Sequence, residues 1–274
     1  MFRARKRFGQ HFLEPLWADK LVEVIEPRPA DRFLEIGPGP GALTLRLAPR
    51  VAHLIAIEVD RDLAGALAPA LPANVELVVA DFLDTDLRRL LQSGPVRVAG
   101  NLPYNISSPI LFKLIEAARG GPANPRAREP AIFDAALMLQ REVAQRLEAR
   151  PGSGDYGVLS ISVQLHADVR RLLTLPPGAF RPAPRVHSAV VRLTFRPPPT
   201  PPRDERVFEA MVRSMFTQRR KTLANALGPF SEGRNIRPVA ALEGAGIDPS
   251  RRPETLDLAE LTRLADRFTG GPDR

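Results

Sequence analysis

The chain has 274 residues, carries 39 Lys and Arg against 31 Asp and Glu for a net charge of +8, and contains no cysteine. That excludes disulfides, thiolate metal sites and a cysteine nucleophile. No apolar run approaches the roughly twenty residues that span a bilayer, and no apolar secretory segment follows the basic start, so a cytoplasmic protein without membrane or metal is expected. The basic balance favours an anionic partner, of which nucleic acid is the commonest.

In chain order, the first element is a basic arm, Arg3, Arg5, Lys6 and Arg7, free of acidic residues. Arms of this kind bind phosphates. A strand is expected over Arg32–Ile36, followed by a glycine-rich turn from Gly37 to Gly41 and a helical pattern from Ala42 to Leu47. Further apolar runs, His53–Val59, Val75–Val79, Val96–Ala99 and Phe133–Leu139, end at Asp60, Asp81, Asn101 and Gln140. Short apolar strands alternating with helical patterns indicate a parallel sheet covered on both faces. In such sheets the ligand crevice lies past the carboxyl ends of the strands, where these polar residues fall. Gly120 to Pro130 reads as a surface loop. Ala167–Leu175 and Ser188–Phe195 read as an antiparallel pair closing the sheet, separated by the proline-rich Pro176–Pro184. Phe180 within that turn suits either the rim of a base pocket or packing. A stiff linker, Pro197–Pro202, then leads to helical patterns only, from Glu205 to Phe268. The fold class is α/β, a Rossmann-like sheet over 1–196 with a small all-helical domain over 203–274.

Glycines at 37, 39 and 41 let the backbone turn tightly beside a ligand. Glu58, at the end of the next strand, is placed to accept the hydroxyls of a ribose, and Asp81 to accept an adenine amino group. Pro38 and Pro40 remove amide donors that a pyrophosphate would want. A nucleoside cofactor without phosphates is therefore favoured over a dinucleotide, and S-adenosylmethionine is one such cofactor.

Asn101-Leu102-Pro103-Tyr104 follows the fourth strand directly. The amino group of adenine is a poor nucleophile because its lone pair is delocalised into the ring. The Asn101 amide oxygen and a backbone carbonyl near Leu102 can each accept one of its hydrogens, and both bonds strengthen as the nitrogen becomes tetrahedral. Pro103 aims the carbonyl, and Tyr104 offers a face on which an extruded base can stack.

This tetrapeptide with Asn105-Ile106-Ser107, together with Glu35-Ile36-Gly37-Pro38-Gly39, resembles the rRNA adenine N6,N6-dimethyltransferase family. Arg5 to Leu13, Gln140 to Ala144, Phe180 to Val186, Ser188 to Leu193 and Phe216 to Leu223 look like further motifs of that family, so the resemblance spans nearly the whole chain. It implies a class I methyltransferase sheet, S-adenosylmethionine as cofactor, and dimethylation of two adjacent adenines in the 3′-terminal hairpin of 16S rRNA in the 30S subunit, by a monomer. Carried over by position, cofactor contacts fall on His11, Leu13, Gly37, Glu58, Asp81 and Asn101, and the reaction on Asn101, Leu102, Pro103 and Tyr104. His11 stands where the family usually has asparagine. RNA contacts are expected from Arg5, Lys6 and Arg7, and from Arg219, Arg220 and Lys221 on a helix running from Phe216 to Leu227. That helix and Leu102 favour this branch over the antibiotic-resistance branch, which methylates one adenine of large-subunit rRNA. A DNA adenine methyltransferase would share the tetrapeptide but not the terminal motifs. An assembly factor with a vestigial cofactor site would have no need of the tetrapeptide.

Overall fold

The strands and helices alternate as far as Gln140, then the order changes. A computed structural model of the chain describes residues 10–119 and 131–269. The basic arm through Arg7 and the 120–130 loop lie outside the described residues. The elements run β1 (Phe12–Leu13), α1 (Pro15–Ile25), β2 (Arg32–Ile36), α2 (Thr44–Leu47), β3 (His53–Glu58), α3 (Arg61–Leu67), β4 (Val75–Val79), α4 (Leu87–Leu90), β5 (Val96–Asn101) and α5 (Ser107–Ala118). After these come β6 (Ile132–Gln140), α6 (Arg141–Glu148), α7 (Val158–His166), β7 (Ala167–Leu175), β8 (Phe180–Arg181) and β9 (Ser188–Phe195). Helices α8 (Glu205–Thr217), α9 (Leu223–Ala226), α10 (Gly228–Ser231), α11 (Pro238–Gly244) and α12 (Leu258–Asp266) follow.

Seven strands form one sheet in the order β4-β3-β2-β5-β6-β9-β7. β4 through β6 are mutually parallel, and β9 runs antiparallel to both β6 and β7. The expected antiparallel pair does close the sheet. The central strands are apolar runs buried almost throughout, as strands covered on both faces must be, whereas the edge strand β4 has exposed and half-buried residues. From β2 the chain crosses outward to β3 and β4, then returns to β5 on the other side, so the strand order reverses between β2 and β5. A crevice opens at the carboxyl ends of strands flanking such a switch.

The chain folds into two compact units that are interleaved in the sequence. One comprises the chain up to Ala144 with Ala167–Arg196, the other Gln145–His166 with the chain from Pro197 onward. The sequence pattern predicts a single boundary at the proline segment 197–202. Residues 145–166 instead pack with the helical unit, because Tyr156, Ile161 and Leu165 enter its core beside Phe208, Met211 and Met215. In that unit α8 buries Phe208, Met211, Val212 and Met215 at helical spacing. Its amino end is capped by Asp204, which accepts from Arg206 N–H and Val207 N–H. Asp257 and Glu260 form a reciprocal capping box on α12.

The helix expected from Phe216 to Leu227 is broken. α8 stops at Thr217, Lys221 N–H turns back to the Gln218 carbonyl (2.8 Å), and Thr222 is extended before α9. Leu223 N–H and Ala224 N–H bond to the carbonyls of Arg251 and Pro249 instead of continuing the helix (2.7 and 3.2 Å). Arg219, Arg220 and Lys221 therefore sit on a turn.

In the first unit, α1 packs its buried face, Ala18, Leu21, Val22 and Ile25, on the sheet. Its carboxyl end is held by two arginines. Arg97 donates to the carbonyls of Ile25 and Glu26, and Arg192 to those of Val24 and Ile25. Arg97 is itself paired with the buried Asp134 and with Asp31, both at 2.8 Å. This network fixes the helix that follows directly on the short strand β1.

Candidate active site

A cleft of about 270 Å³ opens in the first unit at the carboxyl ends of β2, β3, β4 and β5. His11, Leu13, Gly37, Glu58, Asp81 and the tetrapeptide Asn101 to Tyr104 all line it. The structure thus brings together every cofactor and catalytic residue expected from the sequence.

Gly37 and Gly39 take φ of +69° and +57°, a backbone region that side-chain-bearing residues rarely adopt. The turn they make directs its amides inward. Gly37 N–H bonds the Ile57 carbonyl (2.9 Å), Gly41 N–H the Pro38 carbonyl (3.0 Å), and Gly39 N–H the Glu58 Oε2 (2.9 Å). Pro38 and Pro40 have no N–H. From 37 to 41 every amide is committed within the protein, so this turn has no donor to offer a pyrophosphate.

Glu58 ends β3 and is buried. Its Oε1 accepts Asp60 N–H (2.9 Å) while Oε2 holds the glycine turn. Burial pushes its pKa up; the N–H groups of Asp60 and Gly39 pull it back, and the Asp60 charge raises it. Each oxygen keeps a second lone pair for a ligand hydroxyl. Glu35, on β2, is fully buried in the same wall, and Oε2 has no hydrogen-bond partner. Burial pushes its pKa up to about 8, with the Thr44 hydroxyl lowering it and the Glu58 charge raising it. A buried carboxyl oxygen without a partner at the cleft wall suits a ligand that donates hydrogen bonds or carries positive charge.

Asp81 follows β4 and is exposed. Its Oδ1 accepts Leu83 N–H (2.8 Å), which leaves Oδ2 for a ligand. Lys113 on α5 fixes this turn by donating to the carbonyls of Leu83 and Thr85 (2.5 and 2.7 Å).

Asn101 ends β5, and its side-chain nitrogen donates to the His11 backbone carbonyl (2.6 Å). Leu102 is buried, with its N–H on the Met138 carbonyl (3.2 Å). The Tyr104 hydroxyl pairs with Ser188 Oγ (2.6 Å), and burial raises the phenol's pKa while Ser188 lowers it. The His11 ring stacks on Tyr104, and its Nδ1 meets the Pro182 carbonyl (2.7 Å).

Sequence reasoning missed Ser188 as a partner of Tyr104, and Gln10, which lines the cleft and donates to Asp60 Oδ2 (3.2 Å). Eighty-four positions separate Tyr104 from Ser188, and no local pattern joins them. Phe180 is fully buried in the core with Leu21 and Val190, so of its two expected roles the structure shows packing. Of the basic triplet in the second unit, Arg219 turns inward to the carbonyls of Gly154 and Ser153 (2.8 and 3.1 Å), whereas Arg220 and Lys221 are exposed.

A family model for ribosomal RNA adenine dimethylases matches residues 1–267. Ribosomal RNA small subunit methyltransferase A of Pseudomonas aeruginosa is 46% identical, over 98% of this chain and 96% of that protein. The protein of the same description from Xanthomonas campestris is 42% identical, over 96% and 95%. Among solved structures, a dimethyladenosine transferase from Plasmodium falciparum superposes with a TM-score of 0.74 at 25% identity, covering 93% of this chain and 96% of that one. The 23S rRNA methyltransferase ErmE superposes with a TM-score of 0.67 at 27% identity, covering 94% and 100%.

Proposed function

The chain belongs to the ribosomal RNA adenine dimethylase family, and from that premise we propose that it dimethylates N6 of two adjacent adenines in the 3′-terminal hairpin of 16S rRNA. We place the reaction on the 30S subunit, carried out by a monomer in the cytoplasm. The chain is an S-adenosylmethionine-dependent rRNA adenine dimethyltransferase. The choice of small-subunit RNA is supported by 41–46% identity to small-subunit enzymes over nearly the whole chain, against 27% to the large-subunit enzyme. No helix among the described residues is long and apolar enough to cross a membrane, and no cluster among them has the make-up of a metal site.

The cleft fits S-adenosylmethionine on its own chemistry. The glycine turn offers no amide for a phosphate, while Glu58, Asp81 and the unpartnered Glu35 oxygen supply acceptors for hydroxyl, amino and ammonium groups. In this reading Glu58 holds the ribose, Asp81 the adenine amino group, and Leu13, Gly37, His11 and Asn101 complete the cofactor wall. When bound, S-adenosylmethionine supplies a methyl group on a sulfonium, an excellent leaving group.

The chain's own task is alignment and selective stabilisation. With its nitrogen tied to His11, Asn101 presents its oxygen as the acceptor for one N6 hydrogen of the target adenine, and a carbonyl near Leu102 accepts the other. Both bonds gain strength as N6 becomes positive, so they favour the transition state over bound substrate. Tyr104, a neutral phenol held by Ser188, gives the base a surface to stack on. No strong base is needed before attack, since the N6 proton becomes acidic only after methylation and leaves to water. Arg220 and Lys221, with Arg5, Lys6 and Arg7, are proposed to contact RNA phosphates, while Arg219 braces their turn. The observation that carries the catalytic reading is the Asn101 amide fixed at the cleft wall. Competition between undermethylated 30S subunits and 23S-derived RNA for labelled methyl tests the substrate reading. Transfer to the 30S subunit is expected, and preferential transfer to 23S RNA would replace it with the large-subunit reading.

A further inference from the structure

His11 touches three separate segments of the chain at once. Its Nδ1 is 2.7 Å from the Pro182 carbonyl oxygen. A carbonyl only accepts, so Nδ1 carries a proton and the ring's orientation is set. The ring lies over Tyr104 with centroids 5.6 Å apart and planes 26° from parallel, an offset stack. The backbone carbonyl of the same residue takes the Asn101 amide at 2.6 Å. The two segments involved are themselves joined, since β1 pairs with β8 through Phe12 opposite Arg181 and Leu13 opposite Phe180. The second segment runs on to Ser188, which holds the Tyr104 hydroxyl. Tyr104 is thus gripped at its ring by the first segment and at its hydroxyl by the second.

We infer that His11 is a positioning residue for Tyr104: it covers one face of the phenol ring and fixes its tilt, so the target adenine stacks on the opposite face, in line with Asn101. The inference rests on the adenine-methylation reading above and adds to it a role that cofactor contact alone does not require. A planar ring suits this task. An aliphatic side chain would fill the space without setting a plane. Removal of the ring takes away this stacked contact and leaves the Ser188 bond at the hydroxyl end. A misplaced stacking surface costs rate more than cofactor affinity.

The test is a set of three substitutions, each read for kcat of methyl transfer to undermethylated 30S subunits and for Kd of S-adenosylmethionine. With S-adenosylmethionine saturating, so that any loosening of the cofactor wall does not enter, His11→Ala is expected to lower kcat about tenfold. His11→Phe keeps the stack and gives up the Pro182 bond, and is expected to recover most of the lost rate. His11→Asn keeps an amide donor without a ring, and is expected to resemble the alanine variant. Equal losses in the Phe and Ala variants, or a loss confined to the cofactor Kd, would overturn the inference. Absence of transfer by the unaltered chain is a distinct failure that sinks the adenine reading and the inference with it.

Discussion

The Asn101 side-chain nitrogen donates to the backbone carbonyl of His11 at 2.6 Å, across ninety positions of sequence. The bond decides which end of the amide faces the cleft: the nitrogen is spent on the protein, and the oxygen is left to accept. Replacement by alanine removes an acceptor whose worth is greatest in the transition state. Asn101→Ala is expected to lower kcat roughly 10²- to 10³-fold, with a smaller change in 30S binding. Asn101→Asp keeps acceptor oxygens but sets one against the His11 carbonyl, and is expected to lose at least about tenfold. Wild-type turnover by the alanine variant in a labelled-methyl assay would remove Asn101 from the reaction.

Glu35 gives a pH signature. Its pKa rises from 4.5 to about 8 on folding, chiefly because burial disfavours the carboxylate. The folded state therefore holds the proton more tightly than the unfolded chain. The stability linked to this group is complete below about pH 4.5, falls as pH rises towards 8, and is constant above. Glu35→Gln stays neutral throughout. In the cofactor-free protein it is expected to be more stable to unfolding than the parent at pH 8, by on the order of a few kcal/mol, with the gap closing near pH 5. Parallel unfolding profiles across that range would show that the Glu35 pKa does not rise on folding.

Gly100 sets the spacing between the strands that flank the cleft. A Cβ there would meet the Ile36 carbonyl oxygen at 2.8 Å and Leu102 Cδ2 at 3.3 Å. Neither backbone can yield without moving the tetrapeptide that follows. Gly100→Ala is expected to destabilise the protein by about 1–3 kcal/mol and to lower kcat more than it weakens cofactor binding. Urea unfolding and single-turnover transfer measure the two effects separately.

Arg220 and Lys221 are exposed on a turn whose backbone is tied to the Pro249–Arg251 segment. If both touch phosphates, Arg220→Glu with Lys221→Glu weakens 30S binding and makes its dependence on log salt shallower by about 1 to 2. Cofactor affinity should not change. Arg219→Glu is expected to act differently, through loss of folded stability, because its guanidinium binds the Ser153 and Gly154 carbonyls. An unaltered salt slope in the double variant would place the RNA elsewhere.

The parts legible in the sequence were those written in local pattern. Arg32–Ile36 and Val75–Val79 are short, mostly apolar stretches closed by turn-forming residues, Ala167–Leu175 and Ser188–Phe195 flank a proline-rich turn, and all four fold as strands over those bounds. Glu58, Asp81 and Asn101 were legible for a related reason, since a polar residue ending an apolar strand marks the carboxyl edge of the sheet. What was hidden depends on pairing over long separations. β1 and β8 are two residues each, too short for any periodicity, yet they bring His11 to Pro182 across 171 positions. The break after Thr217 was hidden because it is imposed by the carbonyls of Pro249 and Arg251 rather than by a local stop. The interleaving of the two units turns on Tyr156, Ile161 and Leu165, apolar residues that would serve either core equally well.

The measurement that bears most directly on the whole reading is transfer of labelled methyl from S-adenosylmethionine to undermethylated 30S subunits, with the modified bases mapped. The expected result is dimethyladenine at two adjacent positions of the 3′-terminal hairpin, formed at least about a hundredfold more slowly by Asn101→Ala. Label on a different RNA, or binding of cofactor and subunit without any transfer, would contradict it.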